Sequence, residues 1–156
     1  IDPKLIQVES ARFFWSVFDE MIYDAALNNR TSGQHYNRNS ILEGFQEGRM
    51  YSLTCPQYDS TSAIFCGMDP KGFYNARECA RQNILPCFCI VSPDNPAEVE
   101  NIWVHPRARR RGLGRCFLNQ LDINSASYPM PESLPFWKAC NIDLTSTQDA
   151  SNPDLW

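Results

Sequence analysis

The stretch that decides the fold is Ile102-Trp103-Val104-His105-Pro106-Arg107-Ala108-Arg109-Arg110-Arg111-Gly112-Leu113-Gly114-Arg115. Its first part closes a strand that began at Ala97 and stops at Pro106. The segment from Gly112 to Asp122 carries Leu113, Phe117, Leu118 and Leu121 on one stripe of a helix. The order is therefore strand, Arg/Gly turn, helix. A helix N-terminus presents about four unpaired backbone N–H groups and the positive end of its dipole, which makes it an anion site. Glycines at 112 and 114 are expected to let a pyrophosphate approach the backbone, because a Cβ at either position would hold it away. The arginines supply charge and directional hydrogen bonds.

The bland alternative is a turn glycine beside a solvated basic face. Strand, terminating proline, basic run and amphipathic helix in sequence weigh against it. No Gly-Lys-Ser/Thr follows, which excludes a P-loop, and two glycines without a surrounding βαβ series exclude a dinucleotide fold. Five of the 14 basic residues (Arg107, Arg109, Arg110, Arg111 and Arg115) fall within nine positions, in a chain of 156 residues with net charge −4. An acidic protein thus carries one concentrated positive patch. General affinity for nucleic acid is disfavoured, since the patch lacks interleaved aromatic residues and its glycines suit a pyrophosphate better.

Working outward, residues 97 to 105 form a strand. Simple alternation would set Glu98, Glu100, Ile102 and Val104 on one face, and Val99, Asn101, Trp103 and His105 on the other. Residues 84 to 92 are apolar throughout, as in a strand covered on both faces, with Pro86 at its start or on an edge. Residues 50 to 55 and 62 to 67 read as a hairpin, 5 to 8 as a short strand, and 73 to 82 as a short helix. Ser10 caps a helix running to about Asn28, with Phe14, Val17, Phe18, Met21, Ile22 and Ala25 on its apolar face. Ser40 caps a second helix ending near Gly48. Beyond Asp122 come a short strand at 123 to 127, an irregular proline-rich segment, a short helix at about 133 to 140, a last strand from Ile142 to Thr145, and a loop-like tail.

The length suits one domain over residues 1 to 156. Ile1 stands where an initiator Met would, so residues 1 to 3 carry little weight. No stretch approaches the apolar length of a membrane span, and no basic segment precedes an apolar run near the start. The seven cysteines (Cys55, Cys66, Cys79, Cys87, Cys89, Cys116 and Cys140) lie within apolar segments, which suits reduced thiols in a cytoplasmic protein. Cys87 and Cys89 alternate along a strand, the wrong spacing for zinc, and no metal is expected.

Val104, Pro106, Arg109, Gly112 and Gly114 match, position by position, the Val-x-Pro-x-x-Arg-x-x-Gly-x-Gly signature of the GCN5-related N-acetyltransferase (GNAT) superfamily. Phe136-Trp137-Lys138-Ala139-Cys140-Asn141-Ile142 resembles that family's Phe-Tyr-x-x-x-Gly-Phe segment. The resemblance spans about residues 97 to 145. It implies an α/β (α+β) fold: a mixed, twisted central sheet of about six to seven strands flanked by helices, with a splayed strand pair holding acetyl-CoA. Backbone groups of Ile102, Trp103 and Val104 would run beside the pantetheine arm. The segment Arg109, Arg110, Arg111, Gly112, Leu113, Gly114 and Arg115 would hold the pyrophosphate, with Trp137 also beside the cofactor.

The acceptor implied is a primary amine: a protein lysine or N-terminus, a polyamine or a small molecule. An amine is protonated at neutral pH, so a base must take its proton before attack, and Glu98 or Glu100 on the incoming strand suits that role. His105, beside the strand-ending proline, reads as a polar surface residue that could otherwise relay protons. The tyrosine that many members use as acid is Trp137 here, and the asparagine upstream of it is Met130. An indole N–H is no acid at neutral pH, which leaves Tyr128 or Cys140 for that role. A non-catalytic acyl-CoA-binding module is the second reading. Neither nucleic acid nor membrane is expected as a partner, and a homodimer is compatible.

Overall fold

The computed structural model describes residues 3–27, 38–54, 84–127, 134–142 and 144. These form a mixed α/β structure with a five-stranded sheet and four α-helices. In chain order the elements are β1 (Lys4–Gln7), α1 (Ala11–Leu27), α2 (Arg38–Gln46), β2 (Met50–Thr54), β3 (Cys87–Val91), β4 (Glu98–Val104), α3 (Leu113–Gln120), β5 (Ser125–Ala126) and α4 (Leu134–Ala139). A 3-10 turn at Pro106–Ala108 follows β4. The sheet order is β1-β2-β3-β4-β5; the first four strands are antiparallel and β5 joins β4 in parallel.

Helix α1 starts where the sequence placed its cap. Ser10 Oγ accepts from the Phe13 amide at 3.2 Å, occupying a donor the helix cannot satisfy itself. Phe13, Phe14, Val17 and Met21 are fully or almost fully buried. Phe14 stacks on Phe45 of α2 with ring centroids 4.4 Å apart, joining the two helices. Ser40 is not the cap of α2: the helix begins at Arg38, and the Ser40 hydroxyl donates to the Glu100 carboxylate.

Strand β3 is buried along its whole length, as a run apolar on both faces requires. Pro86 lies just before it, and its carbonyl accepts the His105 amide at 2.9 Å. Cross-strand partners share a face, so Phe88 and Ile90 lie with Trp103 and Asn101, whereas Cys87 and Cys89 lie with Val104 and Ile102. Helices α1 and α2 cover the first face. Asp24 of α1 bonds the Trp103 indole, and a Cβ at Gly44 of α2 would come within 2.6 Å of Ile90. Helix α3 packs on the opposite face against β1, β2 and β4. Its last residue acts as a buckle on β1: Gln120 Oε1 accepts the Leu5 amide at 2.8 Å and Gln120 Nε2 donates to the Pro3 carbonyl at 2.7 Å.

The alternation expected of β4 does not hold. Ile90 opposes Asn101 but Val91 opposes Val99, so Glu100 is an extra residue, a β-bulge. The bulge puts Val99 on the face of Ile102 and Val104, not on that of Trp103. β2 is bonded to β3 and, through Thr54, to Ile84. The second hairpin arm at 62 to 67, the helix at 73 to 82 and most of the expected last strand lie outside the described residues, and Ile142 and Leu144 carry no strand. Among the described residues no helix is long and apolar enough to cross a membrane.

Candidate anion and acyl-donor site

The site grows from the C-terminal half of β4. Parallel pairing with β5 covers only Glu98 and Val99, opposite Ser125 and Ala126, and closes with the Ser127 amide on Val99 O at 2.9 Å. β4 runs on to Val104, beyond the described pairing. The bulge at Glu100 directly follows the last described pair with β5, and a bulge adds local twist. Ile102 and Val104 are partly exposed there, while Trp103 points the other way and is buried.

At the end of β4 the chain turns through Pro106–Ala108 and then enters the left-handed region twice, at Arg110 (φ 64°) and Gly112 (φ 80°). Gly112 is the N-cap of α3 and provides no side chain to satisfy the amides that follow. The first amide with a helical acceptor is Cys116, bonded to Gly112 O at 3.0 Å. Those of Gly112, Leu113, Gly114 and Arg115 find no acceptor among the described residues. Four N–H groups thus open at a helix start beside the exposed side chains of Arg110, Arg111 and Arg115.

The two glycines are required for reasons internal to the protein. A Cβ at Gly112 would meet nothing within 4 Å, and what demands glycine is the positive φ. At Gly114 a Cβ would fall 2.9 Å from Phe136 Cζ, so glycine there admits the ring from α4. Trp137 is 2% exposed and packs edge-on against Phe136, with centroids 5.0 Å apart. Its side chain is therefore core. Leu113 is also buried, leaving its backbone as the part directed to the turn.

Arg109 is directed inward. Its Nε donates to Val104 O at 2.8 Å, and its Nη2 meets Asp24 Oδ2 at 3.1 Å. The same Asp24 oxygen accepts from Trp103 Nε1 at 3.2 Å. One helical turn earlier, Glu20 Oε2 lies 3.6 Å from His105 Nε2. His105 is therefore not a surface residue; it is 6% exposed, and burial pulls its pKa below the ordinary value despite the opposing carboxylates of Glu20 and Asp24. The imidazole is neutral at pH 7, so the contact with Glu20 is a polar one and not an ion pair.

Glu20 and Asp24 were missed from the sequence. They extend the buried row Phe13, Val17 at spacings of three and four, so a carboxylate in line with a core stripe was the available signal.

The two candidate bases differ sharply. The Glu100 carboxylate is held by the Ser40 hydroxyl and by Arg49, whose Nη1 lies 2.6 Å from Oε2 and also donates to Val91 O. Glu98 is half-buried, and its side chain makes no hydrogen bond or ion pair with the described residues. Tyr128 lies outside the described residues. Cys140, after α4, is partly buried; Cys87 and Cys89 are fully buried, and burial pushes the Cys87 thiol up to about 12. Among the described residues no cluster of three metal-ligating side chains occurs. No family model, curated protein or solved structure matches the chain.

Proposed function

We propose that the chain is an acetyl-CoA-dependent N-acetyltransferase that acts on a primary amine by direct attack. The observation that carries the reading is the row of four amides at the start of α3 with no acceptor among the described residues, flanked by three exposed arginines and reached from β4. A diphosphate fits this arrangement, because fixed N–H dipoles and guanidinium groups meet its charge without reorganising. Backbone groups of Ile102 to Val104 would pair with the amides of a pantetheine arm, as a sheet edge does with an added strand. The resemblance of Val104, Pro106, Arg109, Gly112 and Gly114 to the GNAT signature supports the same reading.

Bound acetyl-CoA would supply a thioester whose acetyl group forms the C–N bond with a neutral amine as the C–S bond breaks and CoA leaves as the thiolate. The protein's part is to strip the proton from the ammonium form and hold the amine in line. Glu98 is the residue open to take that proton, either directly or through water; Glu100, engaged by Arg49 and Ser40, instead fixes the bulge. The test is CoA release over a panel of amines combined with calorimetry. Glu98→Gln should lower kcat by about 10² to 10⁴ while leaving CoA affinity intact. Gly112→Asp, which sets a carboxylate at the anion seat and strains the turn, should abolish the binding heat.

A second reading is a non-catalytic acyl-CoA-binding module. It is favoured by the burial of Trp137 where the family signature has an acidic tyrosine, and by the engagement of Glu100. It predicts binding heat with CoA thioesters and no amine-stimulated release of CoA.

A further inference from the structure

We propose that Asp24 is a positioning residue for the anion turn, acting through Arg109, which supports the ligand's seat without touching the ligand. The inference rests on the acetyl-CoA reading of that turn. Asp24 stands in the last turns of α1 and is 5% exposed. Its Oδ2 accepts from the Trp103 indole and from the Arg109 guanidinium, at 3.2 Å and 3.1 Å. Arg109 is gripped on a second edge, where its Nε donates to the last carbonyl of β4 at 2.8 Å. A planar guanidinium fastened at two edges cannot rotate.

The next residue, Arg110, is held at φ 64°, a conformation that persists only where its surroundings enforce it. Arg109 is the fixed point from which that strained segment begins. Withdrawing it towards a diphosphate would break its bonds to the buried Asp24 carboxylate and to Val104 O. Arg110, Arg111 and Arg115 are exposed and carry the direct charge interaction instead.

The two conceivable roles of Arg109 predict opposite signs for one substitution. If Arg109 were a phosphate ligand held in check by Asp24, then Asp24→Asn would release it and tighten binding. As an anchor, it must lose its grip. Calorimetry with CoA on the full chain should show Asp24→Asn and Arg109→Gln each weakening binding by about tenfold, the equivalent of one charge-assisted hydrogen bond. The double variant should be no weaker than either single one, because both remove the same contact. In the amine assay the KM for acetyl-CoA should rise with kcat and amine KM unchanged. Arg109→Lys, which keeps the charge but cannot hold both edges, should behave like Arg109→Gln.

Equal or tighter binding by Asp24→Asn, multiplicative loss in the double variant, or full affinity in Arg109→Lys overturns the proposal. Hydrogen exchange decides the matter without any ligand. In Asp24→Asn the bonded amides that bracket the turn, Ala108 and Cys116, should exchange faster while Cys87–Val91 keep their protection. Equal loss along β3 means that Asp24 only supports the core, and overturns the positioning role. A wild-type chain silent to CoA defeats the acetyl-CoA reading, whereas the exchange result still judges Asp24.

Discussion

Arg110 combines a left-handed backbone with an exposed charge at the proposed anion seat, so the two contributions can be separated by sign. A non-glycine residue in the left-handed region costs about 1 to 2 kcal/mol, partly offset by the greater freedom that glycine loses on folding. Arg110→Gly should therefore stabilise the fold by about 0.5 to 1 kcal/mol in urea unfolding while weakening CoA binding severalfold.

His105 yields a pH prediction. Its folded-state pKa lies below the unfolded value of about 6.5, so the unfolded chain takes up a proton more readily. The contribution to stability is complete above that value and is lost as pH falls towards the folded pKa. Tm should drop on acidification below about pH 6.5, and His105→Asn should flatten that limb. Arg109 stands out in the basic run of the sequence; the partner that holds it does not, because Asp24 lies 85 positions away and only packing brings them together. Nor was the packing need for glycine at 114 legible, since Phe136, which fills the space, comes from a distant element.

At the scale of elements, β4 is the informative case. Its limits and its terminating proline were legible in the local pattern, yet its faces were not. A bulge is a property of a strand pair, and nothing within residues 97 to 105 reveals that Val91 opposes Val99 while Ile90 opposes Asn101. The Arg49 tether on the bulged residue is testable. Arg49→Met strands the half-buried Glu100 carboxylate with Ser40 alone and should destabilise the fold by about 2 kcal/mol, below the about 3 to 5 kcal/mol seen for fully buried pairs. Glu100→Gln in the same background should recover part of that loss by removing the unpaired charge. Unchanged urea midpoints in both would refute a structural role for the pair. Helices α1 and α3 were legible because their buried stripes keep helical spacing over two or more turns, whereas α2 was displaced because Ser40, a good cap by type, is drawn to Glu100.

Over the whole molecule, a net charge of −4 coexists with one basic turn, so the proposed anionic ligand would approach that turn against a repulsive background. Raising salt from 0.1 M to 1 M shrinks the Debye length from about 10 Å to about 3 Å. Since Arg110, Arg111 and Arg115 are exposed, CoA affinity should fall by about tenfold over that range. A salt-independent Kd would show that the arginines are bystanders and the amides alone bind.

The Gln120 buckle bears on how the chain is made. Leu5 and Gln120 are 115 positions apart, so the first strand leaves the ribosome long before the side chain that fastens it exists. With both groups of the amide required to close a span of that length, assembly has a late step that local propensity cannot hasten. The nascent strand can pair with β2 well before that, but the edge that Gln120 caps stays uncovered until translation has passed the Arg/Gly turn.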